Sequence, residues 1–341
     1  MTTIPLQNTI KLENIKKVAV IGAGTMGHGI AQSFAYAGYQ VSMMSRTRKT
    51  LDRAMSLIKS SLESMAGAGL VDPAAIPGTL ARITTCTSVE EAARDADIAF
   101  ETMLEDKEAK VKVFEQLDKH CPPRALIASN TTFLNVFDFA DTSRPDKVLI
   151  AHFYAPPQII PLVDVVKGPE TDMANVQLMA DLLRNMGKKP IIFKEYVSGY
   201  VVSRLQIALQ REIYYLLDEG HLTAREVDDA CIWGLAMRMM VVGAVGRIDY
   251  GGIGLSVKNL KNPACPPTPL DYEPKMIFDL EKNGHLGVKS GKGFYDFGGK
   301  SEAELCAVRD EKLLKMLKFA MDLGDALPGG EIQQERVREA S

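Results

Sequence analysis

The sequence has no cysteine pair at CxxC spacing; its five cysteines, at positions 86, 121, 231, 265 and 306, are scattered and odd in number. That excludes a zinc-ribbon pattern and a disulfide framework, and it fits reduced thiols in a cytoplasmic protein. There is no basic excess: 40 Lys and Arg stand against 43 Asp and Glu, a net charge of −3. A nucleic-acid binder held by phosphate contacts would carry a positive patch, so none is expected as a partner. No apolar run approaches the roughly 18 residues of a membrane span. The longest candidate, Leu235–Val245, is interrupted by Arg238. The first 17 residues are polar and lack the apolar stretch of a signal peptide. No internal repeat or low-complexity tract is present.

What is there is an ordinary globular balance, 46% apolar and 24% charged over 341 residues. A chain of that length buries a core without metal or disulfide staples and leaves room for two or three domains. Short apolar runs of buried-strand type occur at Lys17–Gly22, Gln40–Met44, Leu80–Thr84, Ile98–Thr102, Ala125–Ala128, Val148–His152 and Leu162–Val166. Helix-like stretches lie between them, at Met26–Ala37, Thr50–Met65 and Lys107–Lys119, while Ala66–Gly78 reads as an Ala/Gly/Pro-rich loop. This alternation predicts an α/β domain with a parallel sheet covered on both faces. Beyond about residue 195 the texture turns helical. Tyr200–Glu219 has apolar positions at helical spacing, including Val201, Leu205, Leu209, Ile213 and Leu216. Thr223 and Glu226 open the next helix as a capping box. The expected organisation is therefore a domain over 1–195, a helical domain over 196–325 and a flexible polar tail over 326–341.

The first strand runs directly into Gly22-Ala23-Gly24-Thr25-Met26-Gly27, a GxGxxG pattern that opens a helix. In that context Gly22 serves the tight turn, Gly24 the close approach of backbone to a pyrophosphate, and Gly27 helix–strand packing. The helix start supplies free N–H groups, so Thr25 and Met26 belong to the same cradle. The second strand ends in Ser45-Arg46-Thr47-Arg48, and no acid stands where one would bind the ribose hydroxyls of NAD. A hydroxyl and a guanidinium there suit a 2′-phosphate, which favours NADP over NAD.

His152 ends a buried-type strand, where ligands gather in an open sheet. Pro156, Pro157 and Pro161 then break the chain, and a segment that doubles back can set Asp164 beside His152. A carboxylate there orients the ring and supports its protonated form, the requirement of a general acid–base pair. Ser129-Asn130-Thr131-Thr132 follows another strand and offers small polar groups to a substrate or to the nicotinamide ribose. Glu101 and Glu105 flank a further strand end, either at the cofactor or as caps of the next helix.

The ordered segments GAGTMGHGIAQSFAYAGYQV, ASNTT, HFYAPPQIIPLVDVV, SGYVVSRL and GVKSGKGFYDF resemble the 3-hydroxyacyl-CoA dehydrogenase family over about residues 16–297. The resemblance implies an N-terminal Rossmann domain, a helical C-terminal domain that makes a homodimer, and hydride exchange with a nicotinamide coenzyme. It implies His152 and Asp164 as the catalytic pair, Asp164 standing where the family usually has glutamate. Thr132 and Ser203 fall on substrate-binding positions usually held by serine and asparagine. Glu105 and Lys110 fall on positions associated with cofactor binding, and Ser45 replaces the usual acid of the NAD site; Asn130 joins the cofactor residues through its strand-end position. The PPQIIP stretch is similar to relatives acting on small free acids, the pyridine-carboxylate and carnitine dehydrogenases. The resemblance therefore implies a 3-hydroxyacyl or related β-hydroxy acid substrate. The alternatives are a small non-CoA substrate and a nucleotide-binding protein without chemistry. A dehydrogenase using Lys188, Lys189 or Lys194 as its acid–base group is a nearer rival.

Overall fold

The structure, a computed structural model, describes residues 11–220, 222–264, 268, 269 and 271–323. The predicted tail and Cys265 lie outside the described residues. The chain divides into two compact units, one reaching to Arg204 and the other beginning at Leu205. No helix among the described residues is long and apolar enough to cross a membrane.

The first unit is built on eight strands: β1 (Lys17–Ile21), β2 (Gln40–Met44), β3 (Ile83–Cys86), β4 (Ile98–Glu101), β5 (Leu126–Ser129), β6 (Val148–Phe153), β7 (Leu162–Lys167) and β8 (Lys189–Phe193). Their order in the sheet is β3-β2-β1-β4-β5-β6-β7-β8. The first six strands are parallel; β7 runs antiparallel to β6 and parallel to β8. The order reverses between β1 and β4, which makes their carboxyl edge the natural ligand crevice of a doubly wound sheet. This is a Rossmann α/β domain.

Strand period sends alternate residues of β1 to opposite faces, Val18 and Val20 to one core and Ala19 and Ile21 to the other. Helix α1 (Gly27–Tyr36) and α2 (Arg48–Gly67) cover the first face, through Ile30 and Phe34 and through Leu51, Ala54, Ile58 and Leu62. The α2 set recurs every three or four residues, a single helical stripe. Each large aliphatic side chain buried there contributes about 1.5–3 kcal/mol. Thr47 caps α2 by accepting from the Thr50 N–H. Where a loop was expected over 66–78, Pro73–Ala75 forms a 3-10 turn and α3 (Ile76–Ala81) follows it. Proline at the start of a helix is compatible with it, because that N–H has no intrahelical partner. The next strand accordingly begins at Ile83 rather than Leu80. Helices α4 (Val89–Ala93) and α5 (Lys107–His120) pack on the other face. Helix α6 (Met173–Asn185) returns to the first, between β7 and β8.

Helix α7 (Val202–Asp218) carries the division between the units in its first turn. The second unit is helical. Thr223 and Glu226 form the expected capping box at the start of Ala224–Asp229, and the helix then widens into a π-helical stretch over Ala230–Ala236. Among its described residues, the buried large apolar side chains are Leu217, Val227 and Leu314. Many others are open, including Trp233, Val245, Ile253, Phe278 and Phe319.

Candidate active site

The glycine loop stands at the carboxyl end of β1, with the helix start immediately behind it. Gly22 has a φ of +118°, a conformation open to glycine. A Cβ at Gly27 would lie 1.7 Å from the Gly22 carbonyl oxygen, so helix and loop touch backbone to backbone. A Cβ at Gly24 would meet nothing within 4 Å. Gly24 and Thr25 are exposed and Met26 is half-buried, so this surface is open to an incoming anion. The loop thus fits a dinucleotide pyrophosphate.

At the end of β2, the Ser45 N–H bonds the Cys86 carbonyl, which ties the two strand ends together. Arg46 is exposed, and the Arg48 guanidinium donates to Thr85 Oγ1 at 3.1 Å.

Two acids hold the neighbouring loops. Glu101, fully buried at the end of β4, accepts from Lys110 Nζ at 2.9 and 3.0 Å, from Ser129 Oγ at 2.5 Å and from the Met103 N–H at 2.7 Å. Lys110 is equally buried, so the pair is neutralised in place; losing one partner of such a pair costs about 3–5 kcal/mol. Glu105 lies 3.5 Å from the same ammonium. Its Oε1 accepts from Thr131 Oγ1 and from the N–H groups of Thr132, Phe133 and Leu134, at 2.7–3.2 Å. Burial pushes the Glu105 carboxyl up, but these bonds and the Lys110 charge outweigh it and hold the group below the usual carboxylate range. The α5 cap is instead Asp106, which accepts from the Ala109 N–H. Glu101 and Glu105 thus brace the 101–134 edge of the crevice. Asn130 adds a tie, its Oδ1 accepting from the Phe153 N–H at 2.8 Å.

The antiparallel turn-back after β6 places His152 directly opposite Asp164. Both are buried, at 5% and 0% exposure. His152 Nδ1 lies 3.5 Å from Asp164 Oδ2, and Nε2 lies 3.0 Å from Thr132 Oγ1. The two nitrogens therefore face different partners, a carboxylate behind and a hydroxyl in front. Thr132, braced by Glu105, links the two halves of the crevice. Ser203 is half-buried in the first turn of α7.

The sequence did not single out the aromatic residues around this pair. The Tyr154 ring stands 4.6 Å from the His152 ring, and its hydroxyl donates to Asp164 Oδ2 at 2.5 Å. Tyr200 packs 5.0 Å from His152, donates to the Thr131 carbonyl at 2.8 Å, and has a φ of 50°. The available signal for Tyr154, which directly follows β6, was its i+2 spacing from His152, because extended backbone returns every second side chain to the same side. The Lys188 ammonium is buried but donates to the Pro157 and Ile160 carbonyls, while Lys189 and Lys194 are exposed.

A dinucleotide cradle on a doubly wound sheet, with a buried histidine at the same edge, defines a nicotinamide-dependent oxidoreductase acting on CH–OH groups. Comparison with known proteins sharpens that class. Residues 17–196 match the model of the 3-hydroxyacyl-CoA dehydrogenase NAD binding domain, and residues 199–297 that of the 3-hydroxyacyl-CoA dehydrogenase C-terminal domain. The chain is 31% identical over 282 residues to 3-hydroxybutyryl-CoA dehydrogenase of Clostridioides difficile, covering 82% of this chain and 99% of that protein. It is 28% identical over 308 residues to 5-formyl-3-hydroxy-2-methylpyridine 4-carboxylate 5-dehydrogenase of Mesorhizobium japonicum, covering 89% and 98%. A crystal structure of an enzyme of the latter activity, described as an NAD+ dependent dismutase, superposes with a TM-score of 0.82 at 26% identity, over 90% of this chain and 99% of that one. The chain belongs to the 3-hydroxyacyl-CoA dehydrogenase family.

Proposed function

We propose that this enzyme exchanges a hydride reversibly between a nicotinamide coenzyme and the β-hydroxyl carbon of a 3-hydroxyacyl substrate, with His152 and Asp164 as its acid–base pair. The observation that carries the reading is the antiparallel rung that sets His152 against Asp164. The coenzyme, when bound, supplies the hydride acceptor or donor. The chain's own groups do the rest. Gly22, Gly24, Thr25, Met26 and Gly27 hold the pyrophosphate with backbone. Asn130 and the edge braced by Glu105 and Lys110 hold the nicotinamide half in register. In oxidation, His152 Nε2 takes the substrate hydroxyl proton as the hydride leaves the same carbon. In reduction, the protonated ring returns that proton to the carbonyl oxygen. Asp164 stabilises the imidazolium and fixes which nitrogen faces the substrate. Thr132 Oγ1, already within bonding distance of Nε2, marks the place of the substrate oxygen, and Ser203 adds a second contact.

The coenzyme preference follows from the end of β2. An exposed Arg46, with Ser45 in place of an acid, favours NADP over NAD. A small free acid is the second reading of the substrate, favoured by the TM-score of 0.82 with the pyridine-carboxylate enzyme. Self-association through the helical unit is proposed because, among the described residues, that unit buries so few large apolar side chains by itself. A homodimer is expected in sedimentation at micromolar concentration, and a monomer would refute it.

The test is oxidation of NADPH and NADH, side by side, with acetoacetyl-CoA. Turnover supports the acyl-CoA reading, and the ratio of the two rates reports on Ser45 and Arg46. Tight coenzyme binding without turnover moves the substrate to the small hydroxy acids. Failure to bind either coenzyme refutes the reading.

A further inference from the structure

Asp164 is contested. Its Oδ1 is buried without a hydrogen-bond partner among the described residues, so the carboxylate makes its contacts through Oδ2. At that oxygen the Tyr154 hydroxyl stands at 2.5 Å and the His152 ring nitrogen at 3.5 Å. The first is in the range of a charge-assisted O–H···O⁻ bond, and the second exceeds the usual N–H···O range. The phenol holds the carboxylate more closely than the imidazole does. Burial, the bond to Asp164 and the Asp164 charge all push the Tyr154 phenol far up, so it remains a donor and takes no part in proton exchange with substrate.

We propose that Tyr154 is a positioning residue that sets the basicity of His152 by sharing the Asp164 oxygen with it. A carboxylate that spends its charge on a phenol supports an imidazolium less than one facing the ring alone. The other polar or charged groups facing the ring are few. Thr132 stands before Nε2, and Tyr200 lies against the ring from the segment before α7. Glu105 acts behind Thr131 and Thr132. None of these competes for Asp164 Oδ2, so the Tyr154 hydroxyl is the group whose removal changes the pair directly. This rests on His152 as the acid–base group, and the test separates the two claims.

The experiment is Tyr154→Phe, read by NMR titration of the His152 imidazole in the full chain without coenzyme. The His152 signals are identified by their loss in His152→Gln. The midpoint of His152 protonation is expected to rise by roughly one pH unit, the lower end for a newly unshielded carboxylate. The acid limb of kcat/KM for alcohol oxidation should rise with it, because oxidation needs the neutral ring. A midpoint that stays or falls in the folded variant overturns the proposal. A complementary variant carries 3-fluorotyrosine at position 154. It keeps the ring and the bond but donates more strongly, so the midpoint should fall; an unchanged midpoint there also overturns the proposal. If the NMR midpoints move as expected while His152→Ala keeps full turnover, Tyr154 tunes the ring and the acid–base reading is the one that fails.

Discussion

His152 and Asp164 face each other across one rung of the antiparallel β6–β7 pair, both buried, with Nδ1 3.5 Å from Oδ2. The strand register, not a flexible loop, fixes this relationship. Removing the imidazole should therefore cost chemistry more than fold. His152→Ala is expected to lower kcat by about 10²–10⁴, the usual contribution of a placed acid–base group. Coenzyme affinity should stay within a few-fold. Asp164→Asn should also lower kcat, and it should shift the ring's preferred tautomer. Near-normal turnover in either variant, measured under saturating substrate, would remove the pair from the mechanism.

The two inner glycines of the cradle should separate stability from binding. Gly27→Ala would force a Cβ to within 1.7 Å of the Gly22 carbonyl oxygen, which is backbone and cannot step aside. A cost of about 1–3 kcal/mol or more is expected for such overpacking, visible as a lower unfolding midpoint. Gly24→Ala meets nothing within 4 Å and should leave that midpoint unchanged. It should still weaken coenzyme binding roughly tenfold, about 1.4 kcal/mol, by obstructing the pyrophosphate. Equal unfolding midpoints for the two variants in a denaturant titration would contradict this account.

Much of this was legible because the signals are local. The KVAVIG run, the glycine spacing and the prolines after His152 each act over a few residues, and they yield β1, the cradle and the β6–β7 turn-back. The stretch 66–78 misled because alanine, glycine and proline read as loop, yet proline tolerates a helix start and α3 begins there. The Tyr154–Asp164 bond was hidden because it depends on the register between two strands. Glu105 was ambiguous for a related reason. Its partners are N–H groups 27 to 29 residues away, and no pattern in the chain announces a turn that will close around a carboxylate.

That turn yields its own expectation. Glu105 Oε1 gathers one hydroxyl and three N–H groups of the 131–134 segment, and Thr132 in that segment stands at His152 Nε2. Glu105→Gln keeps an acceptor but removes the charge, at about 1–2 kcal/mol for bonds of this kind. Lower kcat is expected, with a smaller change in unfolding midpoint. The sign with pH also follows. The folded carboxyl sits below its ordinary value, so its stabilisation is complete above that value and is lost as the pH falls further. The acid side of the stability profile should therefore be shallower in Glu105→Gln, and an unchanged acid limb would count against the brace.

Lys188 provides the alkaline counterpart. It is 7% exposed, its ammonium donates to the Pro157 and Ile160 carbonyls, and no carboxylate among the described residues bonds it. Burial pulls it down from 10.5 to about 8. The folded chain therefore holds fewer protons than the unfolded chain between those values, and stability rises with pH across that window. The contribution is complete above the unfolded value and is lost as the pH falls through about 8. Between pH 7 and pH 9.5 the gain from this one group is about 2 kcal/mol, since a proton held one pH unit less tightly is a difference of about 1.36 kcal/mol. Burial also pushes the Cys86 and Cys121 thiols up, so these groups, and the unfolded tyrosines that ionise near pH 10, act in the opposite sense and are common to the wild type and a Lys188 variant. Urea unfolding of the wild type and of Lys188→Met at the two pH values isolates this contribution. The change between the two pH values should be more positive in the wild type than in Lys188→Met by about 2 kcal/mol; equal changes would show that the ammonium is not held in the low-dielectric site described.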